Sequence, residues 1–147
     1  LLKMKGTTPK VARKRSNLVD VVTDIVLAID QNDVARAAKG FLQLDNRKQR
    51  GQLSTPNILT IGEYMLDKGS IDEALTIFRR LISERPGDKG LDRAYLGAGR
   101  ALMHKPRSET SAWHYFMAVI DLAQTPEVAE EARSYLRNIE RKTEAGG

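Results

Sequence analysis

A small residue followed four positions later by phenylalanine occurs three times in this chain at nearly constant spacing. The pairs are Ala37 and Phe41, Ala74 and Phe78, and Ala112 and Phe116. Successive pairs are separated by 37 and then 38 residues. Residues four apart lie on one face of a helix, and self-similarity at about this period is typical of stacked helical repeats. The spacing therefore predicts a chain built from helix pairs.

Apolar residues recur at helical spacing along most of the chain, and turn residues separate the periodic segments. The predicted helices cover residues 18–30, 34–45, 56–68, 71–84, 90–103, 110–123 and 126–141. Asp33, Thr55 and Thr125 suit N-cap positions, and Ser70 with Glu73 has the spacing of a capping box. No segment predicts a strand convincingly. We therefore expect an all-α fold, with one repeat domain over residues 17–141, a flexible arm over 1–16 and a disordered tail over 142–147.

The segment "IGEYMLDKGSIDEALTIFRRLISERP", residues 61–86, lies within residues 55–88, which resemble a tetratricopeptide repeat. The matching positions are the Ile61 and Gly62 pair, the small Ala74, the aromatic Phe78 and the terminal Pro86. The resemblance implies two antiparallel helices that cross closely, with Gly62 and Ala74 facing each other. Phe78 is then expected to fill the space between this pair and the next.

Two divergent pairs flank this repeat. Leu96 and Gly97 repeat the apolar-glycine step, although the following turn is three residues longer, and Ile25 stands where a glycine is expected. The resemblance covers about residues 18–141. It implies an α-solenoid of about three helix pairs, with residues 126–141 as a C-terminal capping helix.

In this family the first helix of each pair lines a concave groove that binds an extended peptide or a helix. The resemblance therefore implies a largely apolar groove on a protein-binding scaffold. Its predicted residues are Val22, Val26, Leu59, Glu63, Leu66, Asp67, Ala94 and Ala98. Because Leu59 and Glu63 stand where chaperone-binding members carry Lys and Asn, a carboxylate clamp is not expected. The alternative is that another copy of the chain covers this face.

Candidates for catalysis or metal binding are few. The chain has no Cys, and His104 and His114 have no neighbouring His or spaced carboxylate. Trp113 and Met117 lie on one helical stripe, which favours packing against the last helix over a ligand cage. We expect no enzyme activity, cofactor or metal.

The first fifteen residues are strongly basic. Lys3, Lys5, Lys10, Arg13, Lys14 and Arg15 precede the first acidic residue, Asp20. Such a segment attracts anionic lipid or nucleic acid, although no aromatic residue is interleaved to stack on bases, so nucleic acid is the less favoured partner. Because residue 1 is Leu rather than Met and basic residues flank cytoplasmic ends of membrane spans, we also expect the cytoplasmic tail of a membrane protein. A merely solubilising arm is the alternative.

If the arm binds anionic surfaces, the chain should bind vesicles containing phosphatidylserine, and the affinity should fall steeply as salt rises. Replacing the six basic residues with Gln should abolish binding, because each contributes about 1 kcal/mol near an anionic surface. Co-sedimentation at two salt concentrations measures this. Unchanged binding by the Gln variant would contradict the assignment.

Overall fold

The computed structural model describes residues 21–146, and every regular element among them is a helix. The helices, numbered in chain order, are α1 (21–30), α2 (Val34–Phe41), α3 (Arg47–Arg50), α4 (Thr55–Asp67), α5 (Ile71–Glu84), α6 (Leu91–Leu102), α7 (Glu109–Leu122) and α8 (Pro126–Gly146). The predicted all-α fold is confirmed. The basic arm, residue 17 and residues 18–20 of the first predicted helix lie outside the described residues.

The chain divides into two compact units, one ending at Asn57 and the other beginning at Ile58. In the first unit, α1 and α2 approach closely at Ile25 and Gly40. A Cβ added to Gly40 would lie 2.8 Å from Cγ1 of Ile25, so no side chain fits there without movement. Ile25 itself is completely buried.

This contact explains why Ile25 occupies a position where the repeat pattern has glycine. Ile25 and Gly40 each precede Gly62 and Ile77 by 37 residues. In the second unit the sizes are reversed, since a Cβ added to Gly62 would lie 3.2 Å from Cγ2 of Ile77. Each pair of helices thus combines one glycine with one isoleucine at the same two positions, which lets the helices approach to a similar extent.

The second unit is organised around Phe78 of α5, whose side chain is completely buried. Its ring lies against Gly62 of α4 and Gly97 of α6, and a Cβ on either glycine would come within 3.0 Å of the ring. The prediction that Phe78 fills the space between consecutive pairs is confirmed. The prediction that Gly62 faces Ala74 is wrong, because the nearest side chains to Gly62 are Phe78 and Ile77.

The same arrangement recurs one pair later, where α6, α7 and α8 pack in chain order. The ring of Phe116 lies against Gly99 of α6 on one side and stacks on Tyr135 of α8, with ring centroids 4.8 Å apart. Trp113 is only half-buried and Met117 is 43% exposed. The prediction that this stripe fills the core against the last helix is therefore wrong for Met117, and Phe116 and Tyr135 make a contact between α7 and α8.

Helix termini follow the predicted signals in part. The Asp33 carboxylate accepts a hydrogen bond from the Arg36 amide at 3.2 Å, as expected for an N-cap. Ser70 makes no such side-chain bond, so the predicted capping box does not form. Thr55 lies within α4, and the preceding hydroxyl of Ser54 accepts from the Asn57 amide at 3.2 Å.

Two elements differ from the predicted pattern. The polar stretch after α2 contains the one-turn helix α3, where the Asn46 side chain accepts a hydrogen bond from the Gln49 amide at 2.8 Å.

Helix α8 extends to Gly146 and not to 141, so residues 142–146 of the predicted tail are helical. Its exposed face is held by local ion pairs, which need no tertiary partner: Glu130 contacts Arg133 and Arg137. The hydrogen bond from Arg137 lowers the pKa of Glu130 below its usual range.

The Gly97 contact can be tested with Gly97→Ala. A methyl group there would overlap three atoms of the Phe78 ring and must displace it, which costs about 2–3 kcal/mol, whereas alanine returns at most about 1 kcal/mol of helix propensity. We expect a net loss in the free energy of unfolding, measured by urea denaturation. Gly146→Ala, where a Cβ meets nothing within 4 Å, is the matched control and should lose no stability. An unchanged midpoint for Gly97→Ala would contradict the contact.

The crossing of α1 and α2 has its large side chain at Ile25 and its glycine at Gly40. We therefore expect the effects of substitutions at these two positions on the free energy of unfolding to be coupled. Ile25→Gly leaves a cavity and Gly40→Ile overpacks the crossing, so each single variant should be destabilised by about 1–4 kcal/mol. The double variant restores one large and one small side chain, and it should lose clearly less than the sum of the two. Denaturant midpoints of the four proteins measure this, and simple additivity would show that the two positions do not compensate.

Candidate functional site

The predicted groove residues on α4 separate into two pairs. Glu63 and Asp67 reach the surface, with 31% and 70% of their side chains exposed. Leu59 and Leu66 are only 1% and 5% exposed. The prediction that the repeat register turns all four outward is thus wrong for the two leucines. Their substitution by lysine would bury a charge, and would therefore test stability and not partner binding.

Helix α6 is the central helix of the second unit and packs against α5, α7 and α8. Ala94 and Ala98, which the resemblance places in the groove, are completely buried. Gly97 and Gly99 on the same helix allow Phe78 and Phe116 to approach, which explains how α6 comes to be enclosed. The predicted apolar positions on α4 and α6 are therefore part of the core of the second unit.

In the first unit, Val22 and Val26 lie one turn apart on α1 and are half-buried. Leu27 on the same helix is 47% exposed. The two valines thus keep part of their apolar surface accessible, in contrast to the four apolar positions on α4 and α6.

Two arginines of α6 meet the two acidic residues of α4. Arg93 donates from Nε to Oε2 of Glu63 at 3.2 Å, and it also contacts Oε1 of the same carboxylate. The Arg100 guanidinium lies 3.4 Å from Oδ1 of Asp67. The two ion pairs follow the same order along both helices. We name Glu63, Asp67, Arg93 and Arg100 the α4/α6 charged row.

The charged row changes the electrostatic expectation for this face. The sequence pattern predicts a small acidic patch at Glu63 and Asp67, whereas the structure gives each carboxylate a cationic partner. The pair of Arg100 and the exposed Asp67 contributes only about 0–1 kcal/mol to stability, so these two side chains can exchange partners at small cost. Arg93 contacts both oxygens of Glu63 in a part-buried position and is held more firmly.

A third ion pair continues the pattern between the helix pairs. Lys105, just after α6, contacts Asp72 in the first turn of α5. In all three cases the acid belongs to the α4–α5 pair and the base lies about 30 residues later. Sequence reasoning missed Arg93, Arg100 and Lys105. Sequence separations of 30, 33 and 33 residues were the available signal, since they lie close to the repeat period.

Other residues considered for chemistry lie apart from this face. His104 and His114 are both exposed, at the end of α6 and on α7 respectively. Within residues 21–146, no group of three His, Asp or Glu side chains is arranged to hold a metal ion. In that same part of the chain, none of the helices is both long enough and apolar enough to span a bilayer.

Comparison with known proteins adds no family assignment, because neither a scan of protein-family models nor a search of curated proteins gave a match for the chain. The resemblance to tetratricopeptide repeats stays a prediction from the residues quoted above.

Proposed function

We propose that this chain is a non-catalytic protein-interaction module of the tetratricopeptide type, which binds a peptide or helix of a protein partner. The observation that carries the proposal is the α4/α6 charged row, an accessible line of two acids and two bases on the first helices of consecutive pairs. The buried leucines and alanines behind it make the backbone of this face rigid. A surface is suited to binding when its backbone is held in place by the core and its charged side chains are free to contact a partner.

The charges of the row indicate which charges the partner segment should carry. A segment that binds there should present charges of both signs, because a purely apolar segment would remove water from both ion pairs and offer no hydrogen bond in return. Arg93 and Arg100 can bind a partner carboxylate in a bidentate manner, while Glu63 and Asp67 accept from its lysine or arginine. We therefore propose a partner segment that carries both acidic and basic side chains, in place of the apolar segment that a largely apolar groove would bind.

The cellular setting follows from the charge of the arm. We propose that the module acts in the cytoplasm, near the inner face of a membrane, since six basic residues precede Asp20. The second candidate function, binding to an anionic membrane surface or nucleic acid through the arm, has the same support. The Gln variant of the arm separates it from the first, because that variant leaves the charged row intact.

The charged row is tested by neutralising its acids with isosteric changes, Glu63→Gln with Asp67→Asn. These changes remove two charges without altering side-chain volume, so the fold should persist by circular dichroism. The matched control is Asp121→Asn with Glu130→Gln, which makes the same chemical changes at exposed positions of α7 and α8. Proteins captured by immobilised chain are quantified by mass spectrometry, and direct titration follows with the captured protein, which can be a second copy.

We expect wild type and control to capture the same partner, and the row variant to bind it at least about tenfold more weakly, because paired charges at interfaces contribute about 1.5 kcal/mol or more. Equal capture by the folded row variant would exclude this face as the binding surface.

A further inference from the structure

A cavity of about 260 Å³ lies in the second unit, and none of its lining residues belongs to the charged row. It is open on one side and is bordered by the end of α5, the loop between α5 and α6, the first turns of α6 and the segment around the end of α7. Pockets for whole small-molecule ligands usually measure about 300–1,000 Å³. The volume therefore suits one inserted side chain better than a cofactor.

The buried charged residue in the lining of this cavity is Asp92, which is only 4% exposed. Its Oδ1 accepts a hydrogen bond from the Arg93 amide at 2.8 Å, and Oδ2 accepts from the Gln124 amide at 3.0 Å. The second bond ties the start of α6 to the segment after α7. Within residues 21–146, no Lys, Arg or His side chain forms an ion pair with it.

Burying a carboxylate that has hydrogen bonds but no cation is costly, and a cation brought to it gains more than at an exposed site. The helix N-terminus of α6 supplies part of the compensation. Each carboxylate oxygen accepts one hydrogen bond here and can accept a second. The site is thus able to receive donors from a positively charged group.

The rest of the lining matches the stem of such a group. Leu91 and Leu122 provide apolar walls, and the half-buried ring of Tyr95 lies beside them. Long basic side chains bury their alkyl stems on apolar surface, and cations are attracted to aromatic faces. The lining also includes two exposed charged residues, Asp88 and Lys89, and the Lys89 cation would oppose a second cation.

We propose that this cavity binds a single arginine or lysine side chain of a protein partner, with its charged head at Asp92 and its stem between Leu91 and Leu122. This basic-side-chain site is separate from the charged row. It goes beyond the proposed function by giving the partner a second contact, and it does not require the row to bind anything.

The test uses two capped peptides, Gly-Arg-Gly and Gly-Gln-Gly, titrated into the whole chain. Amide NMR signals of Arg93 and Gln124 report binding, since both amides donate to the Asp92 carboxylate. The arginine peptide should produce a saturable shift of both signals. The glutamine peptide, which has a similar shape without charge, should bind at least about tenfold more weakly, as expected for the loss of a charged hydrogen-bonded pair.

Leu122→Lys places a competing cation at the cavity, and the position tolerates it because Leu122 is 42% exposed. Met117→Lys is the matched control, since Met117 is 43% exposed on the same helix and does not line the cavity. We expect Leu122→Lys to lose the response to the arginine peptide and Met117→Lys to keep it. Lys89→Ala should strengthen binding of the arginine peptide, because it removes the cation that opposes the peptide.

The proposal is overturned if the arginine peptide gives no saturable shift, if both peptides bind equally, or if Leu122→Lys responds like wild type. A loss of response in Met117→Lys as well would also overturn it, because the effect would not be local. These outcomes do not depend on the capture experiment, whose variants alter no residue that lines the cavity. Failure of the cavity and failure of the charged row are therefore distinguishable.

Discussion

The ring of Phe78 lies between glycines of two consecutive first helices, Gly62 of α4 and Gly97 of α6, and the second unit depends on this contact. Because neither glycine has a Cβ, both helices approach the ring more closely than any other residue would allow. The approach encloses α6 between its neighbours. It also brings Arg93 within hydrogen-bonding distance of Glu63, so the surface charges are positioned by the core beneath them.

The same rule of paired sizes operates elsewhere in the chain. Gly99 accommodates Phe116, and in the first unit Gly40 accommodates Ile25. In the α4–α5 pair the glycine is on the first helix and the isoleucine on the second, whereas in the α1–α2 pair the two are exchanged. Both pairs of helices therefore cross at a similarly close distance. Two pairs that look divergent in sequence therefore follow one packing principle, which is stronger support for an internal repeat than any single matching residue.

The sequence predicts the helices well because periodicity, caps and turn residues are local signals; Asp33 at the start of α2 is an example. It predicts burial of the faces less well, because burial depends on what covers them. Leu59 and Leu66 have the register of groove residues and are nevertheless core. The partners of Glu63 and Asp67 lie 30 and 33 residues away and leave no local signal. The same holds for the Asp92 cavity, whose walls come from segments that are distant along the chain.

The central claim is that Phe78 is shared between two consecutive helix pairs, and nuclear Overhauser effects between its ring protons and the glycine α-protons measure it most directly. The structure predicts cross-peaks from the ring to the α-protons of both Gly62 and Gly97. These glycines belong to different helices, so both cross-peaks require the ring to lie between them. Cross-peaks to Gly62 alone, with none to Gly97, would show that Phe78 belongs to one pair only and would contradict the account.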